Sequence, residues 1–450
     1  MASARRSATS LAVAAAFAVV TGRAQATAEG PAGEPDAAAE AAVEPDTRAE
    51  RWGALRQRKR TQLAPRKPGR LERTLLTIEK AERPSLLDWN LAGVHPRIRS
   101  IARGSQPAAG LRLWRPEIGG SPLDVQASAF YSLRRYELYD FQLGRLPHRG
   151  RTFPPASTRG DDVYELGDVR ATGPRFTGYA SLRYLHEPRT AFYGLGPATD
   201  ASARTTYLYQ HATYEGVLGY EPAPRVGLKV RAGVKQVFIG PGSEDRSPAT
   251  RSLFDDITAP GLARQPDFFH WGASVLLDGR DEPGRPHKGA MLAVGWDGFD
   301  DLRSSSHRFD RFAADARGFL PMGSPQRVLA LRARVSTDHA AAGSVVPFYL
   351  QETLGGGHDL RGFHTYRFRG TKLVLGQAEY RWEAWPALEL ALFVDAGRVF
   401  TTDEGLSLSG LEHDWGFGLR LKSSDSAILH FDTAFSREGT RAVIRLGSSF

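Results

Sequence analysis

Apolar and polar residues alternate along most of the chain from about residue 108 onward. In RVLALRARVS (327–336), leucine, alanine and valine side chains fall on one face, whereas Arg332 and Arg334 fall on the other. The segments GQAEYRWEAW (376–385) and ALELALFVDAG (387–397) show the same period of two. Because successive side chains of a β-strand point to opposite faces of a sheet, this period predicts an all-β protein.

The pattern predicts sixteen strands, and an even number puts both ends of the series on one side of a membrane. The strands are predicted to begin near residues 108, 123, 136, 162, 176, 205, 225, 268, 288, 307, 327, 370, 387, 413, 426 and 440. Short turns are predicted near 134, 174, 223, 284, 323, 386 and 424, and mostly longer loops near 155, 195, 250, 303, 350 and 406. Turns on one side and long loops on the other are typical of outer-membrane barrels and favour a barrel over a soluble β-protein.

The C-terminal segment TRAVIRLGSSF (440–450) is predicted to be the last strand of this barrel. It places Ile444, Leu446 and Phe450 on one face and ends the chain on an aromatic residue. A terminal phenylalanine suits the girdle of aromatic side chains at the membrane interface. We therefore predict a transmembrane antiparallel barrel over residues 96–450, with its C-terminal barrel signal in this strand.

The first 95 residues differ from the barrel in composition. Residues 1–28 combine two early arginines, the apolar run LAVAAAFAVV and small residues, which predicts a secretory signal peptide. Residues 29–70 are first acidic and then basic and contain few bulky apolar residues, so they are predicted to be a disordered linker. Residues 71–95 begin with apolar residues at helical spacing, which predicts a short amphipathic helix and a periplasmic lead-in.

Charge and composition exclude several classes of protein. The net charge of +9 is concentrated near the N-terminus, where residues 51–70 alone carry +8. We interpret this basic cluster as a solvated linker near anionic lipid headgroups, because an exported chain rarely meets nucleic acid. The chain contains no cysteine, which excludes disulfides and thiolate metal sites. It also has no run of 18 apolar residues, so no transmembrane helix is predicted.

The sequence predicts no enzyme, no metal site and no cofactor. It has no G-x-S-x-G elbow, which argues against a serine hydrolase on a barrel wall, as in outer-membrane phospholipases. GGGHDLRG (355–362) is not a phosphate loop, because no Gly-Lys-Ser/Thr follows the glycines. The spacing of His358, Asp359 and His364 fits no metal-ligand pattern, and these are interpreted as polar loop residues.

Several short motifs, in the same order along the chain, resemble those of the BamA/TamA-type outer-membrane assembly factors, also called the bacterial surface-antigen family. Leu360, Arg361, Gly362 and Phe363 resemble the hydrophobic-Arg-Gly-aromatic signature of the family's loop six, which a glycine run precedes. The other matching segments are FYGLG (192–196), the turn LDGRDEPGRPHKG (277–289) with Asp278, Arg280, Asp281 and Gly289, the strand QAEYR (377–381), the F-x-D-x-G strand FVDAG with Phe393 and Gly397, and the hairpin GFGLRLKSSDSAILHFD (416–432).

The resemblance implies that the long extracellular loop six folds back into the barrel lumen, where its arginine meets carboxylates. The period of two independently places Glu379 and Asp395 on the same inward face of two neighbouring strands. A buried guanidinium needs such partners, since without them it loses several kcal/mol on desolvation, and its planar fork engages a carboxylate at two points. We therefore predict that Arg361 pairs with Glu379 and Asp395, that Gly362 allows a tight turn and that Phe363 packs on the inner wall.

The resemblance also implies a bacterial outer-membrane location and a role in inserting or translocating polypeptides. Its implied surroundings are outer-membrane lipids and lipopolysaccharide, and its implied partners are client polypeptides and periplasmic factors. Family members carry periplasmic POTRA modules before the barrel, whereas only the linker and one short helix precede it here, so a barrel-only branch is predicted. The alternative is a passive channel or a structural barrel without insertase activity.

Overall fold

A computed structural model of the protein describes residues 93–146, 175–243, 247–282, 286–385, 388–422 and 427–446. Its strands are β1 Val94–Ser100, β2 Pro107–Arg115, β3 Asp124–Ser132, β4 Glu137–Arg145, β5 Phe176–Phe192, β6 Thr205–Ala223, β7 Val226–Pro241, β8 Phe268–Asp278, β9 Gly289–Asp301, β10 Phe309–Pro321, β11 Arg327–Ala340, β12 Glu352–Leu354, β13 Phe368–Gly370, β14 Lys372–Trp385, β15 Leu388–Phe400, β16 Glu412–Lys422, β17 Ala427–Ser436 and β18 Gly439–Leu446. Single-turn 3-10 helices span Ile118–Gly120, Ala201–Ala203, Thr250–Ser252 and Phe348–Leu350.

Sixteen of the described strands form one antiparallel sheet in which each strand pairs with its neighbour along the chain. β12 and β13 do not belong to this sheet; they form a small sheet of their own within the connection between β11 and β14. β11 therefore pairs with β14, the next strand of the barrel. β1 and β18 end this series and lie close to each other, but no ladder of paired residues joins them within the described part of the chain. The predicted all-β fold of sixteen antiparallel strands is confirmed, as a nearly closed barrel.

The faces of the sheet are the reverse of those in a soluble protein. Polar side chains of β14 and β15, such as Glu379 and Asp395, are buried, whereas Leu392 is 61% exposed and Val394 is 53% exposed. Leu331 of β11 is also exposed, and Arg334 of the same strand is buried. An apolar outer band around a polar interior is the pattern of a barrel whose outer surface contacts lipid.

The predicted position of the first strand was wrong. The barrel sheet begins with β1 at Val94, inside the segment predicted to be a lead-in, and the strand predicted near 108 is its second. Pro96 explains why β1 was missed, since proline lacks a backbone donor and argues against a central strand. It is tolerated here because β1 is at the edge of the sheet. The strand predicted near 162 lies outside the described residues, while β4 and β5 pair directly with each other.

Two connections were predicted on the wrong side of the barrel. Each antiparallel strand crosses to the opposite side, so the additional strand β1 shifts every connection before β5 by one crossing. The short turn between β3 and β4, near 134, therefore lies on the side of the long loops. β4 ends and β5 begins on the side of the short turns, whereas a long loop on the opposite side was predicted near 155, at a position outside the described residues.

Several predictions concern residues outside the described part of the chain. These are the signal peptide (1–28), the linker (29–70), the helix in the following segment as far as residue 92, and Phe450 of the C-terminal signal. Of that signal, Ile444 lies on β18 with its side chain 67% exposed, and Leu446 is the last residue of the strand. Among the described residues, no helix is long and apolar enough to cross a membrane.

Candidate functional site

The connection between β11 and β14 presents its arginine through a series of tight turns. Gly355 and Gly356 have φ angles of +108° and +100°, a conformation that residues with a Cβ rarely adopt. The backbone N–H of Gly356 donates to the carbonyl of Leu360 at 3.1 Å, and that of Phe363 donates to the same carbonyl at 3.2 Å. Arg361 therefore lies at the tip of a compact, almost fully buried segment and is itself 1% exposed.

The guanidinium of Arg361 contacts two carboxylates and an aromatic ring. Its Nε and Nη2 lie 2.7 and 2.8 Å from the two carboxylate oxygens of Asp395, which is a two-point ion pair. Its Nη1 lies 2.7 Å from Oε2 of Glu379 and 3.8 Å from Oδ2 of Asp432. The Phe393 ring lies beneath it, with its centroid 3.4 Å from Cζ. Every polar edge of the guanidinium thus faces negative charge, and its flat face contacts a ring.

Glu379 is shared by three arginines. Besides Arg361, it accepts from Nε of Arg381 at 2.6 Å and from both terminal nitrogens of Arg420. Arg420 in turn lies 3.0 Å from Glu389. The network extends to β17 and β18 through an ion pair of 2.8 Å between Asp432 and Arg445. Buried charges are tolerated because each cation has carboxylate partners, and loss of one member leaves the others uncompensated.

The surrounding charges keep Arg361 protonated. Burial alone would lower the pKa of its guanidinium, but Asp395 and then Glu379 raise it by more, so the pKa lies above its ordinary value. Burial also lowers the pKa of His358 in the same loop well below its usual range, so that imidazole is neutral. The fixed cation at the loop tip is therefore Arg361.

Residues next to Arg361 hold the loop tip against the sheet. A Cβ added to Gly362 would lie 2.7 Å from Cβ of Asp414 and 2.8 Å from Cβ of Ser436, so the close approach requires glycine. The hydroxyl of Ser436 donates to the carbonyl of Gly362 at 2.9 Å. Leu360 and Phe363 are completely buried, and the Phe363 ring packs edge-on against Phe368 at 5.3 Å. They belong to an apolar cluster with Leu354, Phe368, Leu373, Leu375 and Val399.

The remaining motif residues shape the barrel wall and a distant turn. Gly397 of β15 leaves room for β12, since a Cβ there would lie 3.1 Å from Cδ1 of Leu354. In the connection between β8 and β9, Arg280 forms a two-point pair with Asp278 at 2.8 and 2.7 Å. Asp281 accepts backbone N–H groups there, and Gly289 has a φ of +102°. These turn residues form a local structure and do not join the Arg361 network in the described contacts.

A second buried cluster fills the strand ends next to the long loops. Arg369 lies at its border, where Nη1 donates to the carbonyl of Phe348 at 2.6 Å and Nη2 lies 3.1 Å from the hydroxyl of Tyr207. The cluster, which we call the aromatic seal, consists of Phe192, Tyr207, Tyr209, Val237, Ile239, Ala259, Leu262, Phe268, Phe299, Phe309, Val346, Phe348, Tyr349 and Leu350. Side chains from six strands, β5 to β10, and from two loops thus pack apolar surface where a barrel of this size would otherwise hold water.

Sequence reasoning predicted Arg361, Glu379 and Asp395 but missed the other members of the network. Arg420 and Asp432 lie in the quoted hairpin motif, and the period of two puts both on the buried, polar face. That alternation is the signal that would have identified them. His358 and His364 were not predicted as metal ligands, and the described residues contain no group of three or more side chains placed to hold a metal ion.

The chain matches one protein-family model and resembles several solved structures of outer-membrane proteins. Residues 168–447 match the model of the Omp85 superfamily domain. BamA from Haemophilus ducreyi lacking POTRA domains 1-3 is similar over 88% of this chain and 82% of that chain, with 13% identity and a TM-score of 0.55. CdiB from Acinetobacter baumannii is similar over 79% of this chain and 57% of that chain, with 14% identity and a TM-score of 0.41. A search of curated protein sequences gives no match.

Proposed function

Because the chain belongs to the Omp85 superfamily, we propose that it inserts or translocates polypeptides at the bacterial outer membrane. The superfamily consists of outer-membrane barrels that assemble or translocate proteins, and the chain is an outer-membrane protein. The observation that carries the finer proposal is the seam, by which we mean the junction of β1 and β18. These two strands lie side by side without a described ladder of paired residues.

The mechanism follows from the physics of unpaired strand edges. A strand edge without a partner presents a row of N–H and C=O groups that pairs readily with another strand. In lipid such groups must be satisfied, so an opened seam favours pairing with a client strand. In this proposal the seam opens sideways, and a client polypeptide pairs with the exposed edge or is released through it.

The connection between β11 and β14, which we call loop six, has the complementary role of bracing the barrel while the seam moves. We place its tip in the lumen because Arg361 contacts Glu379 and Asp395, which lie on the buried face of β14 and β15. The ion pairs fix the tip to the wall far along the sheet from β1. The chain is exported by its N-terminal signal in this proposal, lies among outer-membrane lipids and lipopolysaccharide, and works with periplasmic factors.

Client insertion in vesicles tests the proposed activity. The purified protein reconstituted into phospholipid vesicles is expected to raise the rate at which a denatured outer-membrane barrel becomes folded and protease-resistant. The readout is the fraction of client that migrates as a compact species without heating. Vesicles holding an unrelated barrel at equal density are the control. Rates equal to that control would refute an insertase.

A passive channel is the second candidate, and the aromatic seal argues against it. A barrel of sixteen strands leaves an aqueous channel unless something fills it. Here Phe348, Tyr349 and Leu350 pack with inward side chains of β5 to β10 at the ends next to the long loops. The packing predicts a barrel that conducts ions poorly at rest.

Planar-bilayer recordings test the seal directly. The wild-type protein is expected to give small, infrequent currents, whereas Phe348→Ala is expected to raise the conductance several-fold, because truncating a fully buried phenylalanine leaves a cavity. Phe238→Ala is the matched control, since Phe238 lies on β7 with its side chain 52% exposed. Large steady currents through the wild-type protein would favour the channel instead.

A further inference from the structure

Contacts between loop six and β18 cover one side of the seam. A Cβ added to Gly357 would lie 2.7 Å from Cδ of Arg445 and 2.8 Å from Cγ1 of Val443, so the loop backbone rests directly on this strand. Nη1 of Arg441 lies 2.8 Å from Nδ1 of His364. Loop six therefore follows β18 along much of its length, from Arg441 to Arg445.

The same loop reaches the other side of the seam through an ion pair. Nη1 of Arg103, in the connection between β1 and β2, donates to Oδ2 of Asp359. The two side chains are 8% and 1% exposed, so water screens the pair little. Asp359 is two residues from Arg361 and two residues from Gly357. A stretch of five residues thus contacts the connection that follows the first strand, the last strand and the carboxylates of the wall.

The position of Asp359 is coupled to the Arg361 network. Nε2 of Gln377 donates to the carbonyl of Asp359 at 2.8 Å and to Oδ1 of Asp395 at 3.0 Å. One side chain thereby links the residue at the seam to the residue that anchors Arg361. A displacement of the loop tip would be transmitted to Asp359.

We propose that the Arg103–Asp359 ion pair is a latch that holds the seam closed, and that its release precedes sideways opening. The importance of this latch for activity rests on the proposed function, whereas its effect on the seam does not. The ion pair joins the connection after β1 to a loop that rests on β18. It therefore links the two strands of the seam, between which no ladder of paired residues is described. Arg103 and Asp359 are positioning residues in this scheme, since neither needs to touch a client.

The electrostatics of Asp359 agree with a permanently charged latch. Burial would raise the pKa of this carboxyl, but Arg103 lowers it most among the charges, followed by Arg334 and Arg332, so the pKa lies below its ordinary value. The carboxylate therefore stays ionised at neutral pH. Its other oxygen, Oδ1, has no hydrogen-bond partner in the described structure.

Spin labels across the seam measure its opening without any client. Ile98 of β1 and Ile444 of β18 are 56% and 67% exposed, and the chain contains no cysteine that would compete for the label. Labelled Ile98→Cys/Ile444→Cys protein in vesicles is expected to give one narrow distance distribution. Adding Arg103→Gln or Asp359→Asn is expected to raise the ratio of open to closed seam about tenfold, seen as a second, longer distance.

The double variant and a distant ion pair distinguish a latch from general loosening. If the two residues act through each other, Arg103→Gln/Asp359→Asn opens the seam no more than the stronger single variant. Arg231→Gln breaks a comparably buried pair with Asp297, between β7 and β9, and is expected to leave the distribution narrow. Unchanged distances in both single variants, additive opening in the double variant, or equal opening in Arg231→Gln would each overturn the latch. These distances are measured without a client polypeptide. A failure of the latch can therefore be told apart from a failure of the proposed insertase function.

Discussion

Arg361→Ala is expected to destabilise the folded barrel by about 3–5 kcal/mol, the usual cost of removing one partner from a buried ion pair. The substitution leaves Asp395 without its two-point partner and Glu379 without one of its three arginines. Unfolding in urea, followed by the shift from the compact to the heat-denatured form on a gel, measures the loss. Client insertion is expected to fall with it, because the loop tip is no longer fixed.

Two further variants assign the effect to the guanidinium fork. Arg361→Lys keeps the charge but not the planar donor pair, so its stability is expected to lie between wild type and Arg361→Ala. Leu390→Ala, on the opposite face of β15 from Asp395, is expected to leave insertion near the wild-type rate. Wild-type behaviour of both Arg361→Ala and Leu390→Ala would show that the network does not support the barrel or its activity.

Glu379→Gln is expected to be at least as damaging as Arg361→Ala. The neutral amide leaves Arg361, Arg381 and Arg420 close together with one buried carboxylate fewer, so their mutual repulsion adds to the lost ion pairs. Urea unfolding again measures the loss, with an expected cost of about 3–5 kcal/mol. The same substitution at Glu383, which lies on the same strand 3.1 Å from His287, is the matched control with a smaller expected effect.

The energetic coupling between Arg361 and Glu379, measured with a double variant, provides an independent check on the network. If Arg361 and Glu379 act as one unit, the Arg361→Ala/Glu379→Gln variant loses less free energy of unfolding than the two single losses added together. Strictly additive losses would mean that the two residues stabilise the barrel separately. That outcome would contradict a direct interaction, which the distance of 2.7 Å between Nη1 of Arg361 and Oε2 of Glu379 predicts.

The fold was largely predictable because strand alternation is a local property. Each predicted strand from 176 onward begins within two residues of an observed one, since period two and turn residues act over a few positions. The errors came where local patterns were weak. β1 contains Pro96 and three basic residues in seven, and the segment near 162 alternates poorly. The predicted number of strands was correct, but β1 was missed and a strand was predicted near 162 instead. For that reason the two connections near 134 and 155 were predicted on the wrong side of the barrel.

The sequence by itself determined which side chains share a face, and so it identified Arg361, Glu379 and Asp395 as candidates for one site. It did not determine which other charges join them. Arg420 and Asp432 come from later strands, and Arg103 comes from the connection after the first strand. Arg420 and Asp432 reach the site because β16 and β17 follow β14 and β15 in the sheet. The meeting of Arg103 with Asp359 depends on the sheet curling until β1 lies beside β18, which brings together residues more than 250 positions apart in the chain. Alternation acts over two residues, whereas barrel closure depends on the pairing of all sixteen strands, and for that reason only the tertiary structure decided it.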